Sequence, residues 1–309
     1  MSLLAVVNAA SAGGRTGRRW PEIAAALDGA GVEFEVAFTE GPGHATELVE
    51  KALAAGRTQV ASCGGDGTLN EVVNGLIDQR GAPRAPGVRL ALLPSGTGGD
   101  FRRTLGIPTE PRAAAGLVAA GATRRIDAGL IEYRDGTAPR RFVNIASCGV
   151  GHEVDRRVNE LRFKPGKFAY ALASGAATLR YRPVTAVLRV DGTELRGTFI
   201  SIAFANAQYF GGGMRIAPQA DPGDGLLDVI LTSTPRLRAL AGARHLYAGD
   251  HLEVPGSLML RGREIEILPE AGARMGFDVD GEPLGFAPAT VKVLPAALEI
   301  YCDSGAVAG

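Results

Sequence analysis

The stretch Gly64-Gly65-Asp66-Gly67-Thr68-Leu69-Asn70-Glu71 decides the reading of this chain. Before it runs the short apolar segment Gln59-Val60-Ala61-Ser62-Cys63, of strand length. After it comes Val72-Val73-Asn74-Gly75-Leu76, with helical spacing. The order is strand, tight turn, helix, and Thr68 and Glu71 are spaced for a capping box. Glycines let a backbone approach a ligand closely, and the first N–H groups of a helix lack internal partners and attract an anion. A bare carboxylate at Asp66 would repel phosphate, so its place inside the loop implies a divalent cation too. The predicted ligand is a nucleotide phosphate with magnesium. The string is not a P-loop, since no G-x-x-x-x-G-K-[ST] occurs. It is not the dinucleotide fingerprint either, because Asn70 stands where a third glycine belongs.

Outward from this loop, residues 3 to about 120 alternate short apolar runs with helical segments. Strands are expected at Leu3–Val7, Val32–Phe38, Gln59–Ser62 and Arg89–Leu93, and helices at Pro21–Ala30, His44–Ala55, Leu69–Ile77 and Ala113–Ala120. Such alternation implies a mostly parallel sheet covered on both faces. A second glycine loop, Pro94-Ser95-Gly96-Thr97-Gly98-Gly99-Asp100-Phe101, follows the fourth strand. Ligands of open α/β sheets bind beyond the carboxyl ends of strands, so both loops should face one crevice. Thr97 offers a hydroxyl there and Asp100 a second carboxylate.

After Gly121 the pattern becomes β-rich: Thr185–Val190, Glu194–Ala205, Leu226–Leu231, Glu264–Leu268, Arg274–Val279, Thr290–Leu294 and Leu298–Tyr301. Asp191-Gly192 and Asp280-Gly281 read as hairpin turns, and helices are expected around Lys167–Leu179 and Pro235–Ala248. These runs predict an antiparallel sandwich, with a short hinge near residues 121–128. The resulting division is 1–125 as an α/β nucleotide-binding domain, 126–304 as a β-sandwich domain and 305–309 as a tail.

Composition narrows the function. In 309 residues, Lys plus Arg (33) equals Asp plus Glu (33), so no excess charge points to nucleic acid. Cys63, Cys148 and Cys302 show neither disulfide nor zinc spacing, which fits a reducing cytoplasm. Leu3–Val7 is too short for a signal peptide core and lacks a basic flank. The uncharged stretch Gly197–Met214 is broken by Asn206, Gln208 and Gly211-Gly212-Gly213, and reads as a buried strand, Thr198–Phe204, entering a polar loop rather than a membrane span.

Three further acidic groups stand out. Asp127, where the architecture changes, reads equally as a turn residue or a ligand. Ala220-Asp221-Pro222-Gly223-Asp224-Gly225-Leu226-Leu227-Asp228 reads as an oxygen-ligand cation loop or as a solvated acidic turn, and it lacks the length and distal Glu of an EF-hand. In Asp280-Gly281-Glu282-Pro283 a carboxylate is held between a turn and a proline, a setting for a general base as well as an ordinary hairpin. His44, His152, His245 and His251 show no triad or metal spacing.

Taken together, these motifs resemble the diacylglycerol kinase catalytic-domain family, especially the bacterial soluble lipid kinases, and more distantly the sphingosine kinases. The blocks are Val6-Val7-Asn8, Thr39, Gly64 to Gly75, Pro94 to Phe101, Ile126-Asp127, Asn206 with Gly211 to Met214, Pro218 to Asp228, and Val279 to Glu282. The resemblance implies a phosphofructokinase- and NAD-kinase-like α/β domain followed by an antiparallel β-sandwich, with the site between them. It implies phosphoryl transfer from ATP, with Mg2+, to a lipid hydroxyl at the membrane surface. The protein would be cytoplasmic and transiently membrane-associated, with no transmembrane segment, no nucleic-acid partner and room for a homodimer. Asn8, Thr39, Gly64, Gly65, Asp66, Gly67, Thr68, Leu69, Asn70, Glu71, Ser95, Gly96 and Thr97 would contact ATP. Asp66, Asp100 and Asp127 would form a water-mediated carboxylate network around magnesium. Asp221, Asp224 and the carbonyl of Leu226 would hold a structural cation, and Glu282 would take the proton of the attacking hydroxyl.

Two departures accompany the resemblance. Gly98-Gly99-Asp100 stands where the family has a residue, Asn, then Asp, so an amide contact is missing. Ala9 replaces a common proline, with Arg15 standing in for a basic residue near the phosphates. A kinase of a soluble acceptor, NAD-kinase-like, and a non-catalytic lipid- or nucleotide-binding regulator are the competing readings. The lipid itself is not encoded in these motifs.

Overall fold

The structure, a computed structural model, describes residues 2–93, 95, 99–160, 175–233 and 243–303. The first part runs β1 (Leu3–Val7), α1 (Ser11–Gly29), β2 (Phe34–Phe38), α2 (His44–Ala54), β3 (Gln59–Cys63), α3 (Asp66–Leu76), β4 (Arg89–Leu92), α4 (Asp100–Thr104) and α5 (Pro111–Ala120). Its strands pair in parallel in the order β2-β1-β3-β4. The period-2 geometry of β1 explains why a wholly apolar run was needed. Leu4 and Val6 face α2 and α3 through Val49, Val72, Val73 and Leu76, while Leu3, Ala5 and Val7 face α1 and α5 through Ile23, Leu27, Ala114 and Val118.

The remainder runs β5 (Thr123–Tyr133), β6 (Arg140–Phe142), β7 (Ile145–Gly149), α6 (Val150–Glu160), β8 (Val184–Val190), β9 (Thr193–Phe199), β10 (Ser201–Ala205), β11 (Tyr209–Phe210), β12 (Met214–Arg215), β13 (Leu227–Thr232), β14 (Ser257–Gly262), β15 (Glu264–Pro269), β16 (Gly276–Val279), β17 (Glu282–Phe286) and β18 (Ala289–Tyr301). One antiparallel sheet has the order β14-β13-β10-β7-β16-β17. It packs on the antiparallel part of the large sheet, burying Phe204, Phe277 and Ile202 against Ile131, Leu188, Ile265 and Val291. Phe277 stacks on Phe204 and meets Tyr133 edge-on, with ring centroids 6.0 and 5.4 Å apart. This is the expected sandwich.

The two layers are more continuous than a short hinge suggests. β18 pairs with β15 and β5 in the sandwich, bulges between Leu294 and Leu298, and ends parallel to β4. The expected strands Thr290–Leu294 and Leu298–Tyr301 are thus one element shared by both halves. The expected single run Glu194–Ala205 is instead two strands. It breaks at Ile200, with β9 pairing β8 in one sheet and β10 pairing β7 and β13 in the other. The same break splits the predicted strand Thr198–Phe204.

Helix α1 starts at Ser11 rather than near Pro21, and Ala12, Gly13 and Gly14 inside it are left-handed, so its first turn is a kinked loop. Of the helices expected at Lys167–Leu179 and Pro235–Ala248, residues 175–180 and Ala243–Ala248 are helical, and the rest lies outside the described residues. The tail 305–309 also lies outside them. Among the described residues no helix is long and apolar enough to cross a membrane.

Candidate active site

Parallel pairing of β2-β1-β3-β4 brings their carboxyl ends to one edge, and with them Asn8, Thr39 and the loop from Gly64. Asn8 Nδ2 donates to Thr68 Oγ1 at 3.1 Å, and its Oδ1 accepts from Ser11 N at 3.1 Å, so it ties two of these loops together. Thr39 N donates to Val7 O at 2.9 Å, which fixes the end of β2 beside β1. Gly64 admits Thr68: a Cβ there would stand 2.4 Å from Thr68 Oγ1.

The capping box is not formed. Helix α3 begins at Asp66 with Gly65 as its N-cap and no side-chain cap. Glu71 Oε2 instead accepts from Ala45 N at 3.1 Å, and Glu71 O accepts from Thr46 Oγ1 at 2.8 Å. Its carboxylate satisfies an orphan N–H in the first turn of α2 rather than one in its own helix. Among the described residues, no side chain caps the first-turn N–H groups of α3.

The two glycine loops do meet. Asp66 Oδ2 accepts from Gly99 N at 3.1 Å, and a pocket of about 30 Å³ opens between Ser62, Gly64, Gly65, Asp66, Gly99 and Arg102. Burial pushes the Asp66 carboxyl above its ordinary range, the Gly99 N–H counters this, and the charge of Asp100 adds to it. Asp100 is buried. Its Oδ2 accepts from Gly212 N at 2.7 Å, while Oδ1 makes no hydrogen bond and stands 3.4 Å from Arg103 Nε. Asp100 therefore holds the glycine loop of the second half against the first. Ser95 lies in the interior, donating to Thr16 Oγ1 at 3.0 Å, so it supports the loop from beneath. Gly96 and Thr97 lie outside the described residues.

From the sandwich side, the β16–β17 hairpin carries Glu282 to the same place. Asp280 and Gly281 have φ of +50° and +88°, the two left-handed residues of a tight hairpin, and Val279 pairs with Glu282. Glu282 Oε1 lies 3.5 Å from where a Cβ on Gly67 would be, so its half-exposed carboxylate faces the first loop. Burial raises its pKa, Arg140 at 3.4 Å counters this, and Glu71 adds to it. Asp280 fastens the hairpin to α3: its Oδ2 accepts from Asn70 Nδ2 at 2.8 Å and its Oδ1 from Ile145 N at 3.1 Å. Asn70 faces the sandwich, and Leu69 is core that also lines the pocket.

Asp127 shares no hydrogen-bond partner with Asp66 or Asp100 among the described residues. Its Oδ1 accepts from Ala296 N at the β18 bulge and its Oδ2 from Gly225 N, each at 2.7 Å. It joins the bulge to the acidic turn, and both oxygens are spent on main chain. In that turn, Asp221 is paired with Arg124, and Asp224 with Arg261, which also holds Asp228 at 2.7 Å. Asp221 Oδ1 and Asp224 Oδ1 accept from Gly223 N and Leu226 N, each at 3.0 Å. Arginines supply the countercharge here, so this donor set does not fit a structural cation. Among the described residues no three acidic, His or Cys side chains cluster as a metal site. Asp66 and Asp100 do fit magnesium: Asp66 lines a water-sized space, Asp100 follows Gly99 on its wall and has an orphaned buried oxygen, and this cation binds through few carboxylates and keeps its waters.

An acidic glycine loop on a parallel sheet, faced by a carboxylate from an antiparallel sandwich, is an arrangement for phosphoryl transfer across a domain boundary. Residues 2–131 match the diacylglycerol kinase catalytic domain and residues 144–302 the YegS C-terminal NAD kinase beta sandwich-like domain. A relative from Pseudomonas aeruginosa, described as a probable lipid kinase YegS-like, is 34% identical over 89% of this chain and 87% of its own. A diacylglycerol kinase of Mycobacterium tuberculosis is 32% identical over 83% and 80% of the two chains. The chain belongs to the diacylglycerol kinase family of lipid kinases. A solved diacylglycerol kinase from Bacillus anthracis superposes with a TM-score of 0.71 at 20% identity, covering 98% of this chain and 97% of that one, and so shares its fold.

Sequence reading placed Asp66, Asp100, Asp127 and Glu282 in one site; in the structure Asp66 holds Gly99 N beside Asp100 and Glu282 faces Gly67, while Asp127 binds main chain at Gly225 and Ala296. That reading missed Arg102, Arg140 and the Asn70–Asp280 link. Arg140 and the Asn70–Asp280 link are defined by partners distant in sequence, and Arg102 by a pocket whose other wall comes from the first glycine loop.

Proposed function

We propose that this kinase transfers the γ-phosphoryl group of ATP, with magnesium, to a hydroxyl of a diacylglycerol-like lipid at a membrane surface. The supporting observation is Glu282 facing the Gly67 loop from the other half of the molecule, 3.5 Å from the Gly67 Cβ position. In this reading residues 1–125 bind nucleotide and residues 126–304 bind the acceptor, in a cytoplasmic protein. Open N–H groups at the start of α3 receive phosphate oxygens, while Asn8 and Thr39 shape the edge of the cleft. Asp66 and Asp100 would hold magnesium, largely through water, and the ion would neutralise phosphate charge. Glu282 accepts the hydroxyl proton as that oxygen bonds to the γ-phosphorus and the bond to ADP breaks. Its raised pKa makes it a better base than an exposed glutamate.

The test is γ-labelled ATP with mixed vesicles containing a panel of diacylglycerols, phosphatidylglycerol and sphingoid bases. Label should pass into the organic phase with at least one lipid and require magnesium. Label recovered only in a water-soluble acceptor such as NAD would overturn the lipid assignment. Magnesium-dependent ATP binding without product would leave a binding regulator instead.

A further inference from the structure

Arg102 is a charged side chain that no motif accounts for. It lines the pocket formed by Ser62, Gly64, Gly65, Asp66 and Gly99. Its Nη1 donates to Ile107 O at 3.2 Å, which anchors one side of the guanidinium. Its Nε is buried and has no hydrogen-bond partner among the described residues. Asp100 ion-pairs with Arg103 instead. A buried guanidinium edge with a donor that no described residue accepts from calls for an acceptor.

Position 99 explains how Arg102 gets there. Gly99 has φ +96°, and a Cβ on it would stand 3.1, 3.2 and 3.3 Å from Arg102 Nε, Cδ and Cγ. Any side chain there crowds the arginine. The missing side chain, read from sequence as a lost amide contact, is therefore the space through which Arg102 enters. The pocket also has an electrostatic problem that Arg102 addresses. Asp66 lines it and Asp100 follows the lining residue Gly99, and a phosphate chain meeting carboxylate charge is repelled. Burial works against the arginine charge and Arg103 adds to that, while Asp100 and Asp66 sustain it.

We infer that Arg102 is a phosphate-binding residue of the nucleotide site, admitted by Gly99 and acting in place of a side chain at position 99. The inference rests on the ATP reading above and names a further group in that site. Guanidinium is suited to the task because its fork gives two charge-assisted bonds to one phosphate.

The experiment measures binding of ATP and of adenosine, with and without magnesium, to the full chain and to Arg102→Met, Arg102→Lys, Gly99→Asn and the Gly99→Asn/Arg102→Met double variant. Melting temperatures verify folding. Loss of a charge-assisted contact predicts ATP binding about tenfold or more weaker in Arg102→Met. Adenosine binding should stay within about twofold, since it carries no phosphate, and Arg102→Lys should recover part of the loss. Gly99→Asn tolerates the left-handed backbone but crowds the arginine. It should weaken ATP several-fold alone and add little on top of Arg102→Met. The inference is overturned if Arg102→Met binds ATP as the wild type does, or if ATP and adenosine weaken equally, which would mean a structural role. Wild-type protein that binds neither ATP nor adenosine would sink the nucleotide reading, and this inference with it.

Discussion

Replacing Asn70 by Ala tests the clasp that sets the Glu282 hairpin against the glycine loop. Asn70 is wholly buried, and its Nδ2 donates to Asp280 Oδ2 at 2.8 Å and to Arg141 O at 3.0 Å. Arg141 O keeps a second donor in Asn74 Nδ2 at 2.9 Å, so the partner left wanting is Asp280. A hydrogen bond to a charged group contributes about 1.5–3 kcal/mol, and the truncated amide leaves a small cavity costing about 1 kcal/mol more. The expected loss is about 2–4 kcal/mol, or a melting temperature lower by roughly 5–15 °C. Burial raises the Asp280 carboxyl to about 7, and Asn70 pulls it down. The folded state thus keeps a proton that the unfolded chain releases near pH 4. This group's contribution to stability is greatest below that value and declines as pH rises to about 7. Asn70→Ala should therefore cost more at pH 8, where Asp280 is anionic, than at pH 5, where it is largely protonated. Urea unfolding at both pH values, with Asp280→Asn completing a double-mutant cycle, measures this. A cost unchanged with pH, or coupling below about 0.5 kcal/mol, would refute the clasp.

Glu282→Gln should lower kcat about 10²- to 10⁴-fold with ATP binding nearly unchanged, measured by steady-state turnover on lipid vesicles. Arg140→Met removes a charge that lowers the Glu282 pKa, so the acid limb of the kcat–pH profile should move to higher pH; an unmoved limb would place the base elsewhere. Chelation should leave the melting temperature of the nucleotide-free protein unchanged, because arginines neutralise the acidic turn. Arg261→Ala should instead destabilise it by about 2–3 kcal/mol, since Asp228 is buried at 1% exposure and loses its cation; calorimetry reads both.

The elements that could be read from sequence are those whose cause is local. Asp191-Gly192 and Asp280-Gly281 specify hairpins because both positions adopt φ above zero, which Asp and Gly tolerate. Strand β1 could be read because burial on both faces demands an unbroken apolar run. The break at Ile200 could not, since β9 and β10 are both strands and only their partners differ. The β18 bulge is likewise set by what it crosses. It lets one strand serve an antiparallel partner at Leu294 and a parallel one at Glu299. Thr68 and Glu71 show the limit most directly. Their spacing fits a capping box, yet the same carboxylate is as able to satisfy the N–H of Ala45, and packing of α2 on α3 decides between them.

The site divides in the same way. Asp66, Asp100 and Glu282 could be read because glycine loops and a hairpin turn announce where the backbone presents them. Asp127 has the same chemistry, but its carboxylate goes to main-chain N–H groups at Gly225 and Ala296, which lie far along the chain. A residue type states what a group can bind, and only the fold states what it meets. Position 99 carries this furthest. In sequence, a glycine there is a missing amide. In the folded chain it leaves room for Arg102, three residues on, whose side chain a Cβ there would crowd at 3.1–3.3 Å.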